Sequence, residues 1–185
     1  MSDSRTKLPR FATQIGLTTL DIEAMSGEVS AEHRGIHFCN RDLSGQVVGV
    51  EHMFDVCLYR FTGIQALFAA PRIAAAERIV VTCGPIEALC AAAASPPRSP
   101  TIYAAVPGRL VPRAADALVG LVLQTGATRL TLSFPEDHAG RALFDAAWSL
   151  VHHHLPGMVE VDEFPPPSGR WLSALNRIRT TPRAA

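Results

Sequence analysis

The second half of this chain alternates in a way few folds allow. From Arg78 onward, short apolar runs are each followed by a segment whose apolar residues recur at helical spacing. Residues 79–82 form the first run. Ile86, Leu89, Cys90 and Ala93 follow at i, i+3, i+4 and i+7, one face of a helix. The Pro-rich stretch 95–100 ends that helix. A second strand is expected over 101–105 and a second helix over 112–125, closed by Gly126, the usual residue at a helix C-terminus. A third strand falls on 130–134, and Phe144, Ala147, Trp148 and Val151 mark a third helical face. A fourth strand falls on 158–161. Pro165, Pro166 and Pro167 form a stiff connector, and Trp171, Leu175 and Ile178 mark a last helix. Strands alternating with helices predict an α/β fold, with a mainly parallel four-strand sheet covered on both faces.

The first half has another texture. Residues 1–8 read as a loose tail and 9–25 as one or two short helices, with Thr18 or Thr19 as cap and Asp21 and Glu23 in the first turn. Strands are expected over 35–40 and 46–52, joined by the turn Arg41-Asp42-Leu43-Ser44-Gly45. Two more are expected over 56–61 and 64–69. The chain thus divides into a small α+β unit, residues 1–76, and an α/β unit, residues 77–185. No internal repeat is visible.

Composition narrows the function. With 48% hydrophobic and 18% charged residues, the chain of 185 residues can bury a core and is not disordered. Its formal net charge of zero argues against a strong non-specific nucleic-acid binder, which needs a basic excess to displace counterions. Any such contact must come from a local patch. The cysteines, Cys39, Cys57, Cys83 and Cys90, show no CxxC pair, which suits reduced thiols and a cytoplasmic protein. The polar N-terminus argues against secretion. No apolar run approaches the ~20 residues of a membrane span, so no membrane association is expected.

In an open α/β sheet, ligands sit at the carboxyl ends of the strands. The first strand runs out into Thr82-Cys83-Gly84-Pro85-Ile86-Glu87. The third runs into Ser133-Phe134-Pro135-Glu136-Asp137-His138-Ala139-Gly140-Arg141, and the fourth leads through Asp162-Glu163 to Ser168-Gly169-Arg170-Trp171. The segment 78–89 resembles the first motif of the Toprim family, in which an apolar strand ends in a glutamate before a helix. The segment 132–141 resembles its second motif, D-x-D-x-x-G, with Asp137 and Gly140 on the second aspartate and the glycine. Residues 35–53 resemble the small module that precedes Toprim domains in plasmid and phage proteins. The resemblance spans roughly residues 10–180. It implies a Toprim-like fold and a relation to DNA-processing systems of mobile elements.

The departures from that pattern matter most. Cys83 stands where the family has its glutamate, Pro135 where it has the first aspartate, and Arg170 where a later aspartate precedes a tryptophan. Magnesium takes oxygen ligands in near-octahedral geometry, which a thiol, a proline and a guanidinium cannot supply. The resemblance therefore implies a vestigial site made of Cys83, Pro135, Asp137 and Arg170, with no catalytic residues, no metal and no cofactor. Magnesium enters only if Glu87, Glu136 or Asp162 rebuild the ligand set, which would make the chain a nucleotidyl-transfer or nuclease enzyme. A third reading is a protein-interaction module on the same scaffold.

Other groups have bland readings beside their chemical ones. Cys83, next to a helix start, has the place of a nucleophile, but no histidine lies nearby in sequence to activate it. His37, Cys39, His52 and Cys57 have zinc-ligand chemistry but no zinc-module spacing, and packing explains them as well. His152, His153 and His154 point about 100° apart on a helix and cannot meet on one ion, whereas a helix C-terminus favours histidine. Arg109, Arg113, Arg170 and Arg177 are candidate phosphate contacts. Arg109 and Arg113 flank the second strand-to-helix turn, while Arg170, Arg177, Arg179 and Arg183 make a basic end with no acid after Glu163. The partners expected are DNA or RNA, or a protein. Phe134, Trp148 and Trp171 are expected to be at least partly buried against the sheet.

Overall fold

The computed structural model describes residues 8–25, 27–55 and 58–181. Two short helices open it, α1 (Arg10–Gln14) and α2 (Thr19–Glu23). Thr18 caps α2 reciprocally with Asp21: the Asp21 N–H reaches Thr18 Oγ1 at 3.4 Å, and the Thr18 N–H donates to Asp21 Oδ2 at 2.7 Å. Then come β1 (Val29–Glu32), β2 (Gly35–Arg41), β3 (Val47–Asp55), β4 (Leu58–Gly63) and β5 (Leu67–Ala70). The alternating half follows: β6 (Arg78–Thr82), α3 (Pro85–Ala94), β7 (Thr101–Ala105), α4 (Pro112–Thr125), β8 (Arg129–Leu132), α5 (His138–His154), β9 (Glu160–Glu163) and α6 (Trp171–Thr180). Gly126 closes α4 with φ +66°, the left-handed conformation expected of a terminal glycine. Residues 1–7 of the expected tail, the first residues of the expected strand 56–61, Cys57 and Arg183 lie outside the described residues.

The fold is α/β with one large sheet. The four-strand expectation is too small: among the described residues the sheet has nine strands, in the order β4-β3-β2-β5-β7-β6-β8-β9, with β1 on β2. The expected parallel set is present as β7-β6-β8-β9. Antiparallel β5 then joins it to the N-terminal strands, pairing with β7 on one side and β2 on the other. Strand β1 is not apparent from the sequence. Among the described residues it pairs with β2 alone, and only Val29 and Ala31 of its four residues are buried.

Two hydrophobic cores line the two faces. One holds α1, α2, α3 and α6 over Ile36, Phe38, Met53, Phe68, Val80 and Tyr103. The other holds α4 and α5 over Leu67, Ile79, Val81, Ile102, Leu130 and Leu132. Phe134 and Trp171 are buried, but Trp148 is 39% exposed. The inward face of α5 is Gly140, Leu143, Ala147 and Val151, one residue out of register with the expected Phe144 and Trp148. The register is set at the start of α5: a Cβ on Gly140 would lie 1.9 Å from the Pro135 carbonyl oxygen, so the helix turns its side-chain-free residue to that loop. No helix among the described residues is long and apolar enough to cross a membrane.

Candidate functional site

The end of β6, the loop after β7, the start of α3 and the start of α6 meet beside β3 and β4. They enclose a cleft of about 510 Å³. Cys83, Glu87 and Arg170 line it from the alternating half; Glu51, Tyr59 and Phe61 line it from the antiparallel half.

Glu87 is the organising residue. It lies in the first turn of α3 and is 5% exposed. Its Oε2 accepts the Trp171 N–H at 2.6 Å and the Leu172 N–H at 3.4 Å, so it closes the open N-terminus of α6. Burial pushes its carboxyl above the ordinary range, and those two N–H groups and Arg170 hold it partly down. Arg170 Nη1 stands 3.9 Å from Glu87 Oε1 and faces solvent over more than half its side chain. The Trp171 indole donates to Ser133 Oγ at 2.8 Å, and Ser133 in turn donates to the Phe164 carbonyl at 2.5 Å. The segments leaving β8 and β9 are thus latched onto α6, as is the first turn of α3 through Glu87.

Asp137 also has a structural partner. It is the N-cap of α5, and Oδ1 accepts the Gly140 N–H at 2.8 Å. Pro135 is buried beneath that turn and Glu136 is exposed beside it. Cys83 is half-buried, and burial pushes its thiol up to about 11, with the Glu87 charge adding and Arg170 opposing. At neutral pH it is a thiol, not a nucleophilic thiolate.

Asp162 is not at the strand ends. It pairs in register with Thr131 and reaches toward Arg78, the first residue of β6, at 3.8 Å. Its place is mid-strand, level with Val80, and not at the carboxyl end that leads to Cys83. Among the described residues no three His, Cys, Asp or Glu side chains form a metal-binding group. The donors near Cys83 do not suit magnesium: Glu87 and Asp137 cap helices, and a thiol and a guanidinium are not ligands for it.

The candidate arginines are dispersed. Arg170 lines the cleft; Arg109 is exposed in the loop that contributes Gly108 to it. Arg113 belongs to another groove, with Asp42, Leu43, Ser44 and Asp116, and Arg177 sits in the last turn of α6. Glu51, Tyr59 and Phe61 were not singled out from the sequence. They reach the cleft only because β3 and β4 pair, Glu51 opposite Phe61. Burial raises the Glu51 carboxyl. His37 and His52 do meet, Nδ1 to Nδ1 at 2.6 Å, as a hydrogen-bonded pair.

No protein-family model matches the chain, and no curated protein matches it. Solved structures do. The primase fragment of the bacteriophage T7 primase-helicase protein superposes with a TM-score of 0.61 at 16% identity, over 97% of this chain and 78% of that one. The E. coli primase catalytic core gives 0.51 at 17% identity, over 86% of this chain and 54% of that one. The DnaG primase catalytic domain bound to ssDNA gives 0.52 at 15% identity, over 95% of this chain and 62% of that one. At these identities the likeness is one of fold. These cores contain a Toprim domain, and the present chain has a Toprim-like α/β fold.

Proposed function

We propose that this protein is a catalytically inactive Toprim-like protein that acts as a nucleic-acid-associated accessory of a DNA-processing system, such as that of a mobile element. In this reading residues 1–76 are the small preceding module and 77–185 the Toprim-like domain. One observation carries it: the carboxylates nearest the strand ends, Glu87 and Asp137, are spent on helix N-termini, and Arg170 projects a cation where a metal ligand would stand. A guanidinium next to a cleft holds a phosphate as a fork of donors and needs no metal. The similar core bound to ssDNA supports a nucleic-acid partner.

The test is binding and turnover on the same DNA and RNA strands. The reading predicts binding that weakens steeply with salt and no phosphodiester cleavage or synthesis with magnesium or manganese. Arg170→Ala should lower the salt slope by about one unit. Turnover that depends on Asp137 would instead establish the enzyme reading. The absence of binding at low salt would leave the protein-interaction reading, for which the burial-raised, apolar-walled Glu51 carboxyl in the cleft is the supporting feature.

A further inference from the structure

The two cores cover the sheet unequally. The core under α1 and α2 takes Ile36, Phe38 and Met53 from β2 and β3. The core under α4 and α5, on the opposite face, begins at Leu67 and takes no residue from β1 to β4. Among the described residues, then, the outer face of β2-β3-β4 lies outside both cores.

That face carries an aromatic and basic array. Side chains alternate along a strand, so His37, His52, Phe54, Arg60 and Thr62 point away from the Glu51 cleft. His37 and His52 are opposite in register, with rings edge to face and centroids 4.7 Å apart. The His52 and Phe54 rings are parallel within 9° at 6.4 Å. Phe54 is 40% exposed. Arg60 is in register with His52, and Thr62 Oγ1 is 3.1 Å from His52 Nε2. At the far end Phe54 borders a cavity of about 390 Å³ with Arg10, His33, Arg34 and Asp55. Arg10, Arg34 and Arg60 form no ion pair among the described residues. Two acids lie beside the array: Glu32, 3.9 Å from His37, and Asp55, which lines the cavity with Arg10 and Arg34.

We infer that this outer face is a binding surface for single-stranded nucleic acid, with bases stacked on His52 and Phe54 and phosphates held by Arg34 and Arg60. The inference rests on the nucleic-acid reading above and adds a surface on the opposite side of the sheet from the Cys83–Arg170 cleft. Parallel rings in a row offer π faces to any base, so recognition is tolerant of sequence. Bases in a duplex are already stacked and paired, so a single strand is selected. Guanidinium groups beside the rings, Arg34 and Arg60, without an ion pair among the described residues, supply the charge that the neutral chain lacks overall.

The experiment compares two fluorescein-labelled strands of about 16 nucleotides, enough for a typical single-strand site. One is oligothymidylate and the other is its abasic counterpart; binding to the full chain is read by anisotropy. The wild type should prefer oligothymidylate by about tenfold, the worth of one stacked base. Phe54→Leu keeps an apolar side chain but removes the ring; it should erase the preference, with thermal unfolding near wild type. Phe54→Tyr should restore it. Arg60→Ala should weaken both strands. If the wild type binds both strands equally, or Phe54→Leu keeps the preference, this surface is refuted and the nucleic-acid reading stands. If the wild type binds neither strand at low salt, the nucleic-acid reading fails and this inference with it.

Discussion

A single buried carboxylate closes the start of α6, and its charge is the costly part. Glu87 satisfies two backbone N–H groups that would otherwise be orphaned, 84 and 85 residues away in sequence. An amide oxygen accepts the same bonds without the charge. Because burial raises the folded pKa above its ordinary 4.5, the stability linked to this group is fully present below about 4.5 and declines as pH rises through the folded value. Glu87→Gln should therefore be as stable as wild type or more so at pH 7, and lose that slope. Glu87→Ala should cost about 1–3 kcal/mol, the penalty for unsatisfied buried donors. Urea unfolding at pH 4 and pH 7 checks both; Glu87→Gln falling well below wild type at pH 7 would show that the carboxylate charge itself holds the latch. The position of Glu87 at a strand end was legible in the sequence. Its role was not, because the partners come from a helix at the other end of the chain.

At the scale of elements, helical periodicity located α5 and placed Ala147 and Val151 correctly on its inward face, but turned Phe144 and Trp148 inward where the structure has Leu143. Leu143 and Phe144 are both apolar neighbours, and periodicity alone does not choose between them. Gly140 chooses: only a residue without Cβ fits against the Pro135 carbonyl, which turns Leu143, Ala147 and Val151 inward and Trp148 out. Trp148 then stacks on the surface between Phe144 and His152. Trp171, by contrast, is 3% exposed and hydrogen-bonded to Ser133. Trp171→Ala should cost about 3–5 kcal/mol in chemical denaturation, and Trp148→Ala no more than about 1 kcal/mol. The reverse order would mean that α5 is rotated. Gly126, the Pro-rich break at 95–100 and the four parallel strands needed only local signals. The seat of β5 between β2 and β7 did not come from any local signal, since a four-residue apolar run does not say which strands it pairs with.

Across the molecule, the two ends of the chain are tied together. Arg179 in α6 donates to both carboxylate oxygens of Asp21 in α2, at 2.8 and 3.0 Å. Burial pushes the Asp21 carboxyl up, but the bonds from Arg179 and Thr18 outweigh it and the net shift is downward. The stability linked to Asp21 is thus present above the ordinary value of 3.8 and is lost as pH falls through the lower folded value. Asp21→Asn should cost about 1 kcal/mol at pH 7 and flatten the acid limb of the stability curve; an unchanged acid limb would show that this tie contributes nothing in solution. The same helix α6 begins at Arg170 and Glu87, so the tie that closes the fold also fixes the candidate site. That arrangement is the basis of the central claim: the strand ends hold helices and a guanidinium in place of a divalent cation. The most direct measurement is isothermal titration of magnesium, then manganese, into the full chain at millimolar concentration. The account predicts no saturable heat. A saturable heat that disappears in Asp137→Asn would contradict it.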